Sequence, residues 1–510
     1  MKTNEIPYYK TDQFSKLIID YINEDEKIEP FISQFPRLEN FQLQIDQKIN
    51  HSVDRDLLVK VLRKQNLDIS LSQSTINNIS SLTNKSTFTI TTGHQLCLFT
   101  GPLYFIYKII SVINLTNKLK KRYAHYDFVP VFWMASEDHD LEEINHINLF
   151  GNRIEWDSYQ TGSVGNMELN NIDKVLSKIK EILGKKIEAS NILEILESCY
   201  KEGYSLAYAT RKIVNNIFGK YGLVIIDGND VAMKEKLIPL IKKDVIEQGF
   251  VETIKSCSDS LGKNYKVQAF VRDINFFKLT AKERELITCA SHLDDIIQNP
   301  ENFSPNVLLR PLYQEMILPN IAYIGGPSEV AYWMQLRTAF KQENIPFPIL
   351  VLRNSAILLN EKQYNNFINL GFSLDELFLD EVDLHKIYVK RQDSYKGFDQ
   401  EIREIESIYD RILERTKESS IQYSVRAEKQ KQIRSFRKLE NKFFKLDKNN
   451  HAVALKRITK LKENLFPKKS LQERYDNFIP FYLKDGENFI EILINELNPL
   501  ASNFVILLIK

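Results

Sequence analysis

Short, nearly unbroken apolar runs recur between residues 86 and 357, while charged segments of helical period dominate elsewhere. The runs at 87–92, 128–135, 223–227, 320–324 and 346–352 are rich in β-branched and aromatic residues. They read as strands, several of them buried on both faces as in a parallel sheet. The first four lead into polar or glycine-containing residues: Gly93-His94-Gln95, Ser136-Glu137-Asp138-His139-Asp140, Asp227-Gly228 and Gly325-Gly326-Pro327-Ser328-Glu329. After the first of them, Leu103, Ile106, Tyr107, Ile110 and Ile113 are spaced as one buried helix face. Pro102 suits the first turn of that helix and Thr100 is its candidate N-cap. Lys118, Lys120 and Lys121 give its C-terminus the favoured charge. Strand, helix, strand is the order of a parallel α/β domain.

Around this core the periodicity changes. Residues 1–85 read as a helical, polar lead-in, with amphipathic sets at Phe14, Leu17, Ile18 and Tyr21 and again over 53–62. Two stretches interrupt the α/β pattern and read as insertions. One covers about 150–203, with a strand near 152–159 and two Lys/Glu-rich helices over 172–199. The other covers about 249–304, with strand-like pieces at 268–272 and 275–280. The core with its insertions then spans 86–390. Charged residues dominate 391–468, where Ile402, Ile405, Tyr409 and Ile412, and then Phe436, Leu439, Phe443 and Leu446, form a heptad-like seam. Lys448-Asn449-Asn450-His451 reads as the turn of an antiparallel helical hairpin. Such a seam is better buried in a dimer than in one exposed hairpin. Residues 469–510 return to a globular pattern ending in an apolar run at 504–509.

Composition narrows the class. The chain has 510 residues, 43% hydrophobic and 26% charged, which is ordinary for a globular protein of several domains. A net charge of +1 gives no bulk field for nucleic acid or an acidic membrane. The four cysteines, Cys97, Cys199, Cys257 and Cys289, form no close pair, which excludes a zinc ribbon and suits a reducing compartment. The first residues carry no apolar signal core, and no run is long enough to span a bilayer. A cytoplasmic protein with neither a membrane nor a nucleic acid as partner is expected.

The candidate chemistry lies at the strand ends, where α/β sheets bind ligands against helix N-termini. No Walker motif and no GxGxxG fingerprint is present. Gly93, His94, Gln95, Thr100 and Gly101 cluster after the first strand. Glu137, Asp138, His139 and Asp140 place three carboxylates around one histidine, an arrangement suited to proton transfer. His139, Glu143 and His146 could also share one helix face and hold a metal, but the acids serve equally as capping residues, and no metal is expected. Gly325, Gly326 and Ser328 are a candidate anion cradle at a helix N-terminus, with Tyr332 on the same helix, and an ordinary turn is the alternative. Cys97, set between Leu96 and Leu98, reads as a small buried hydrophobe.

Four segments, TGHQLCLFTGPLYFIYKI, PVFWMASEDHDLEEINH, LRPLYQE and IAYIGGPSEVAYWMQL, together resemble the cysteine-adding enzymes of bacillithiol synthesis. The likeness spans nearly the whole chain. It implies an α/β fold with a Rossmann-type parallel-sheet core, two connecting-peptide insertions and an α-helical coiled-coil domain contributing to a homodimer. It implies a ligase that joins L-cysteine to glucosaminyl malate. It also implies a nucleotide pocket near the C-terminal part, so that ATP or ADP is the expected cofactor. Family members commonly carry Gln where His94 stands and Gly where Ser136 stands. His139, Asp138, Asp140 and Gln95 are the expected catalytic residues, with Gly93, His94, Thr100, Gly101, Glu137, Gly325, Gly326, Ser328 and Tyr332 binding substrate. The competing readings are a nucleotidylyltransferase-like enzyme acting on another small acid, and a dimeric scaffold with a vestigial site.

Overall fold

The computed structural model describes residues 3–184, 187–280, 283–290, 293–392, 397–415 and 417–509. The five apolar runs form one parallel sheet: β1 (Thr87–His94), β2 (Asp127–Met134), β3 (Val224–Asp227), β4 (Asn320–Gly325) and β5 (Ile349–Leu352). Their order across the sheet is β3-β2-β1-β4-β5. The chain therefore winds outward from β1 in one direction and resumes on its other side, which is the Rossmann order. Helix α1 (Leu103–Arg122) crosses from β1 to β2 and is buried on nearly every side, including at Lys108. Helices α2 (Arg310–Ile317) and α3 (Pro327–Met334) flank β4.

The insertions lie between β2 and β3 and between β3 and β4. The first carries an antiparallel ribbon (His146–Leu149 with Asn152–Glu155) and the helices Ile172–Leu183 and Ile187–Cys199. The second ends in a three-stranded antiparallel sheet of Phe276–Leu279, Arg284–Leu286 and Phe303–Pro305. Residues 268–272, expected as a strand, are irregular; Gln335 ties them down instead, its side chain bonding the Ala269 N–H and carbonyl at 2.9 Å each.

Two regions differ from the sequence pattern. The lead-in contains the expected helices but begins with a strand, Thr3–Pro7, in which only Ile6 is buried. That strand and Ala356–Asn360 flank Asn503–Ile509 in a separate sheet. The helical hairpin also turns elsewhere. Helix α4 (Asp399–Leu413) runs antiparallel to the first part of α5 (Ser419–Asn450), with Lys429 on Asp410 at 2.7 Å and Arg437 on Asp399 at 2.9 Å. At His451 the chain bends without reversing: its N–H still bonds the Asp447 carbonyl (3.1 Å), and the Leu455 N–H bonds the His451 carbonyl (3.1 Å). Residues 448–451 contain neither Gly nor Pro, so the helical ladder resumes as α6 (Ala452–Leu465). Leu455, Ile458, Leu461 and Leu465 of α6 are buried against the globular part, whereas Leu439, Phe443 and Leu446 of α5 remain exposed. No helix among the described residues is long and apolar enough to cross a membrane.

Candidate active site

A cavity of about 480 Å³ opens at the carboxyl ends of β1 and β4. This is the crevice where the strand order changes direction, the place where open α/β sheets take ligands. Gly93 and His94 from β1 with Gln95 just after it, Glu137 and Asp138 after β2, and Gly326, Ser328 and Tyr332 around α3 all line it. Parallel registry carries β1 and β2 to the same rim, Gly93 lying opposite Trp133 and His94 opposite Met134.

One wall is acidic. The Gln95 side-chain amide donates to Asp138 Oδ2 (2.7 Å) and to Glu143 Oε2 (2.8 Å), holding the two carboxylates together. Asp138 Oδ1 accepts from the His139 N–H (2.8 Å) and lies 3.8 Å from Arg284 Nη1. Glu137 pairs with Lys234, a buried cation on the short helix Val231–Glu235 that follows β3.

The opposite wall is basic. Lys108 reaches up from α1, donating to the Gly93 carbonyl (2.7 Å) and pairing with Glu329. Burial acts to raise the Glu329 carboxyl, but Lys108, the Gly326 N–H and the Tyr323 hydroxyl hold it below the ordinary carboxylate range. Arg310 is different, because its hydrogen-bond partners are neutral: Gln314 Oε1 (3.0 Å), Tyr332 Oη (3.1 Å) and Tyr323 Oη (3.4 Å). Arg310 forms no salt bridge among the described residues, and Glu329 nearby is already taken by Lys108. Burial disfavours the Arg310 charge, but Tyr332, Tyr323 and Glu329 together hold the guanidinium cationic and its pKa above the ordinary value, so it stands ready for an anionic ligand. Arg353 and Arg474 complete this wall, and Arg284, from the second insertion, stands at the edge of the acidic one.

His94 sits between the walls. Its Nδ1 lies 3.0 Å from the Gln95 carbonyl, which only accepts, so Nδ1 carries the proton and Nε2 is left as an acceptor. Burial, then Lys108, pushes its pKa down to about 3 and keeps the ring neutral. Cys97 is buried behind it, with its thiol pushed up to about 12 by burial.

Several expected residues lie outside the lining. The N-terminus of α1 is closed by a distant segment: the Leu103 N–H bonds the Asp476 carbonyl (2.8 Å), and Asn477 Nδ2 bonds the carbonyls of Phe99 (3.0 Å) and Gly101 (2.6 Å). Thr100, at φ 69°, is buried there and makes no cap hydrogen bond. Gly101, at φ 60°, passes so close to Cys97 that an added β-carbon would fall 2.5 Å from the Cys97 Cβ. Gly325 is the last residue of β4 and uses its carbonyl on the Arg353 N–H (2.9 Å). Asp140 caps the short helix Leu141–Ile144 through the Glu143 N–H (3.2 Å). The His139 ring is half exposed and touches the site only through Asp138, 3.5 Å away. Among the described residues no group of three His, Cys, Asp or Glu side chains is placed to hold a metal ion. Conversely, sequence reasoning missed Lys108, Arg284, Arg310, Glu329, Arg353 and Arg474 as site residues. A lysine inside the apolar face of α1 was the visible sign of the first.

The description "Bacillithiol biosynthesis BshC, N-terminal Rossmann-like domain" matches residues 1–354, and the corresponding C-terminal coiled-coil domain matches residues 356–509. The chain belongs to the BshC family. Relatives named "Putative cysteine ligase BshC" include one from Flavobacterium psychrophilum, 41% identical over 532 residues covering 99% of both chains. Another, from Flavobacterium johnsoniae, is 40% identical over 532 residues covering 100% of both. A more distant one, from Bacillus cytotoxicus, is 24% identical over 509 residues covering 92% of this chain and 94% of its own.

Proposed function

We propose that this protein is a ligase that joins L-cysteine to glucosaminyl malate, the last step of bacillithiol synthesis, at the strand-end cavity. The observation that carries this reading is the cavity's two opposed walls: Gln95 with Asp138 and Glu143 on one side, and Arg310 with only neutral partners on the other. An acidic wall suits an amine, and a basic wall suits the carboxylates of both substrates. Held across the cavity, the two would meet with their reacting groups oriented, the main source of rate in a condensation of this kind.

Asp138 is the proton acceptor in this reading. It stands at the cavity, and Gln95 and the His139 N–H fix its orientation. His139 acts through Asp138, and Asp140 shapes the turn that carries both. His94 Nε2 accepts a hydrogen bond from the bound amine or a hydroxyl, a role that glutamine in other family members would also fill. An amine and a free carboxylate do not condense in water, so ATP would supply the activated carboxyl. The arginines of the walls fit a phosphate as well as they fit a carboxylate. The exposed apolar residues of α5 fit a homodimer through the coiled coil. Light scattering of a chain lacking 399–450 should then report a monomer.

The deciding experiment is product formation by pure protein from cysteine and glucosaminyl malate, with and without ATP. Product that requires ATP and falls about 10²–10⁴-fold in Asp138→Asn is expected. Absence of product under both conditions would overturn the reading.

A further inference from the structure

Arg353 directly follows β5 and is 2% exposed. Its Nη1 donates to the Asn354 carbonyl (2.8 Å) and Ser355 Oγ (3.1 Å), and its Nη2 to Glu473 Oε1 (2.7 Å). Its Nε is buried in the cavity wall and has no partner among the described residues. That nitrogen lies 3.7 Å from the place a β-carbon on Gly326 would take, so it faces the first turn of α3. The Ser328 and Glu329 N–H groups of that turn precede any intrahelical acceptor. Of the arginine side chains among the described residues, only Arg284 and Arg353 have a buried Nε without a partner, and both line this cavity.

Glu473 is what holds the guanidinium in this pose. It is fully buried, and its carboxylate also accepts from Ser355 Oγ (3.2 Å) and the Ala356 N–H (3.0 Å). Every oxygen contact of Glu473 thus fixes the end of the guanidinium that points away from the cavity, or the backbone beside it. Arg474, the next residue, is exposed, lines the cavity and forms no salt bridge among the described residues.

We propose that Arg353 Nε, with the Ser328 and Glu329 amides, binds an unreacting carboxylate of the amine substrate, and that Glu473 is the positioning residue for Arg353. The inference rests on the reaction proposed above. The carboxyl that is to be joined must stay open to attack, so the clamped one belongs to the dicarboxylate half of the amine substrate. Arg474 offers a second cation to the same half. The C-terminal segment therefore builds part of the binding site rather than only covering it.

The test is calorimetric titration of the full-length protein with L-malate alone, which needs no turnover. Wild type should bind it. Arg353→Lys can still pair with Glu473 but lacks the side-directed Nε–H, and should bind at least about tenfold more weakly while its melting transition stays above the titration temperature. Glu473→Gln should raise KM for the amine substrate at least about tenfold while leaving kcat and the KM for cysteine within about threefold. No binding by wild type, or wild-type binding by Arg353→Lys, overturns the proposal. So does a Glu473→Gln protein that loses kcat and both KM values along with its melting temperature, since that marks a structural role. Malate binding through Arg353 without any thiol product would instead overturn the ligase reading and leave this subsite standing.

Discussion

The parallel sheet carries buried ions at both ends, and the two ends are wired differently. At the amino end Lys48 and Glu315, with fully buried side chains, meet at 3.3 Å. Glu315 also accepts from Gln314 (3.1 Å) and Asn320 (2.7 Å), and Asn320 in turn accepts from Thr89 (3.1 Å) and Thr91 (2.9 Å). The charges cancel and the circuit closes. At the carboxyl end Lys108 and Glu329 pair too, but among the described residues Arg310 has no carboxylate of its own and the Nε atoms of Arg353 and Arg284 have no acceptors. A closed buried network specifies a fold, while an open one costs stability unless something arrives to complete it. The contrast separates architecture from site without reference to any ligand.

The largest effect expected from breaking this contrast is at the closed end. Lys48→Met strands Glu315 and should cost about 3–5 kcal/mol in urea denaturation, whereas adding Glu315→Gln to it should recover much of the loss. Arg310→Met, at the open end, should leave the urea midpoint unchanged or raise it. It should also raise KM for a carboxylate substrate by about 10²-fold. A large loss of stability in Arg310→Met would erase the distinction.

A smaller effect should appear in acid. Folding holds His94 neutral down to about 3, while an unfolded histidine takes its proton near 6.5. Between those values the unfolded chain binds more protons, so the His94 contribution is complete above pH 6.5 and is lost as pH falls. Asp244, raised by burial to about 6, and Asp476, raised by burial to about 7, act in the opposite sense, losing their contribution as pH rises. The melting-temperature difference between wild type and His94→Gln isolates the histidine and should grow from about pH 4 to 7. A flat difference would mean that His94 is not held neutral. The smallest effect is reserved for His139→Ala. With the ring half exposed beside Asp138, turnover should change by no more than about threefold.

The strands and the rim were readable because a strand buried on both faces writes itself as an apolar run, as at 128–135, and its end writes itself as a change to polar residues. The acid-rich turn after β2 was legible from local spacing, but its tie to Gln95 depends on the pairing of β1 with β2. The basic wall was not legible, since Lys108, Arg310, Arg353 and Arg474 come from four separate elements and meet only through topology. His139 looked central because neighbours in sequence surround it, yet the turn capped by Asp140 directs Asp138 inward and leaves His139 half in solvent. The α1 N-terminus misled for a similar reason: residues 476–477 occupy it, and nothing near Thr100 in the sequence announces them. The strand Thr3–Pro7 was invisible because a single buried side chain, Ile6, makes no pattern.

The small sheet has a consequence for the order of events during synthesis. Its middle strand, Asn503–Ile509, pairs with Thr3–Pro7 on one side and Ala356–Asn360 on the other. Closing it joins residues nearly the whole chain apart, the kind of contact that forms slowly. Until then two strand edges stay bare and open to wrong partners. Glu473 docks on Ala356 at the start of that sheet, through the N–H at 3.0 Å. A nascent chain could thus complete its parallel sheet early and still lack a finished binding wall. Arg353 waits for Glu473, made 120 residues later, so the binding wall is finished after the sheet it stands on.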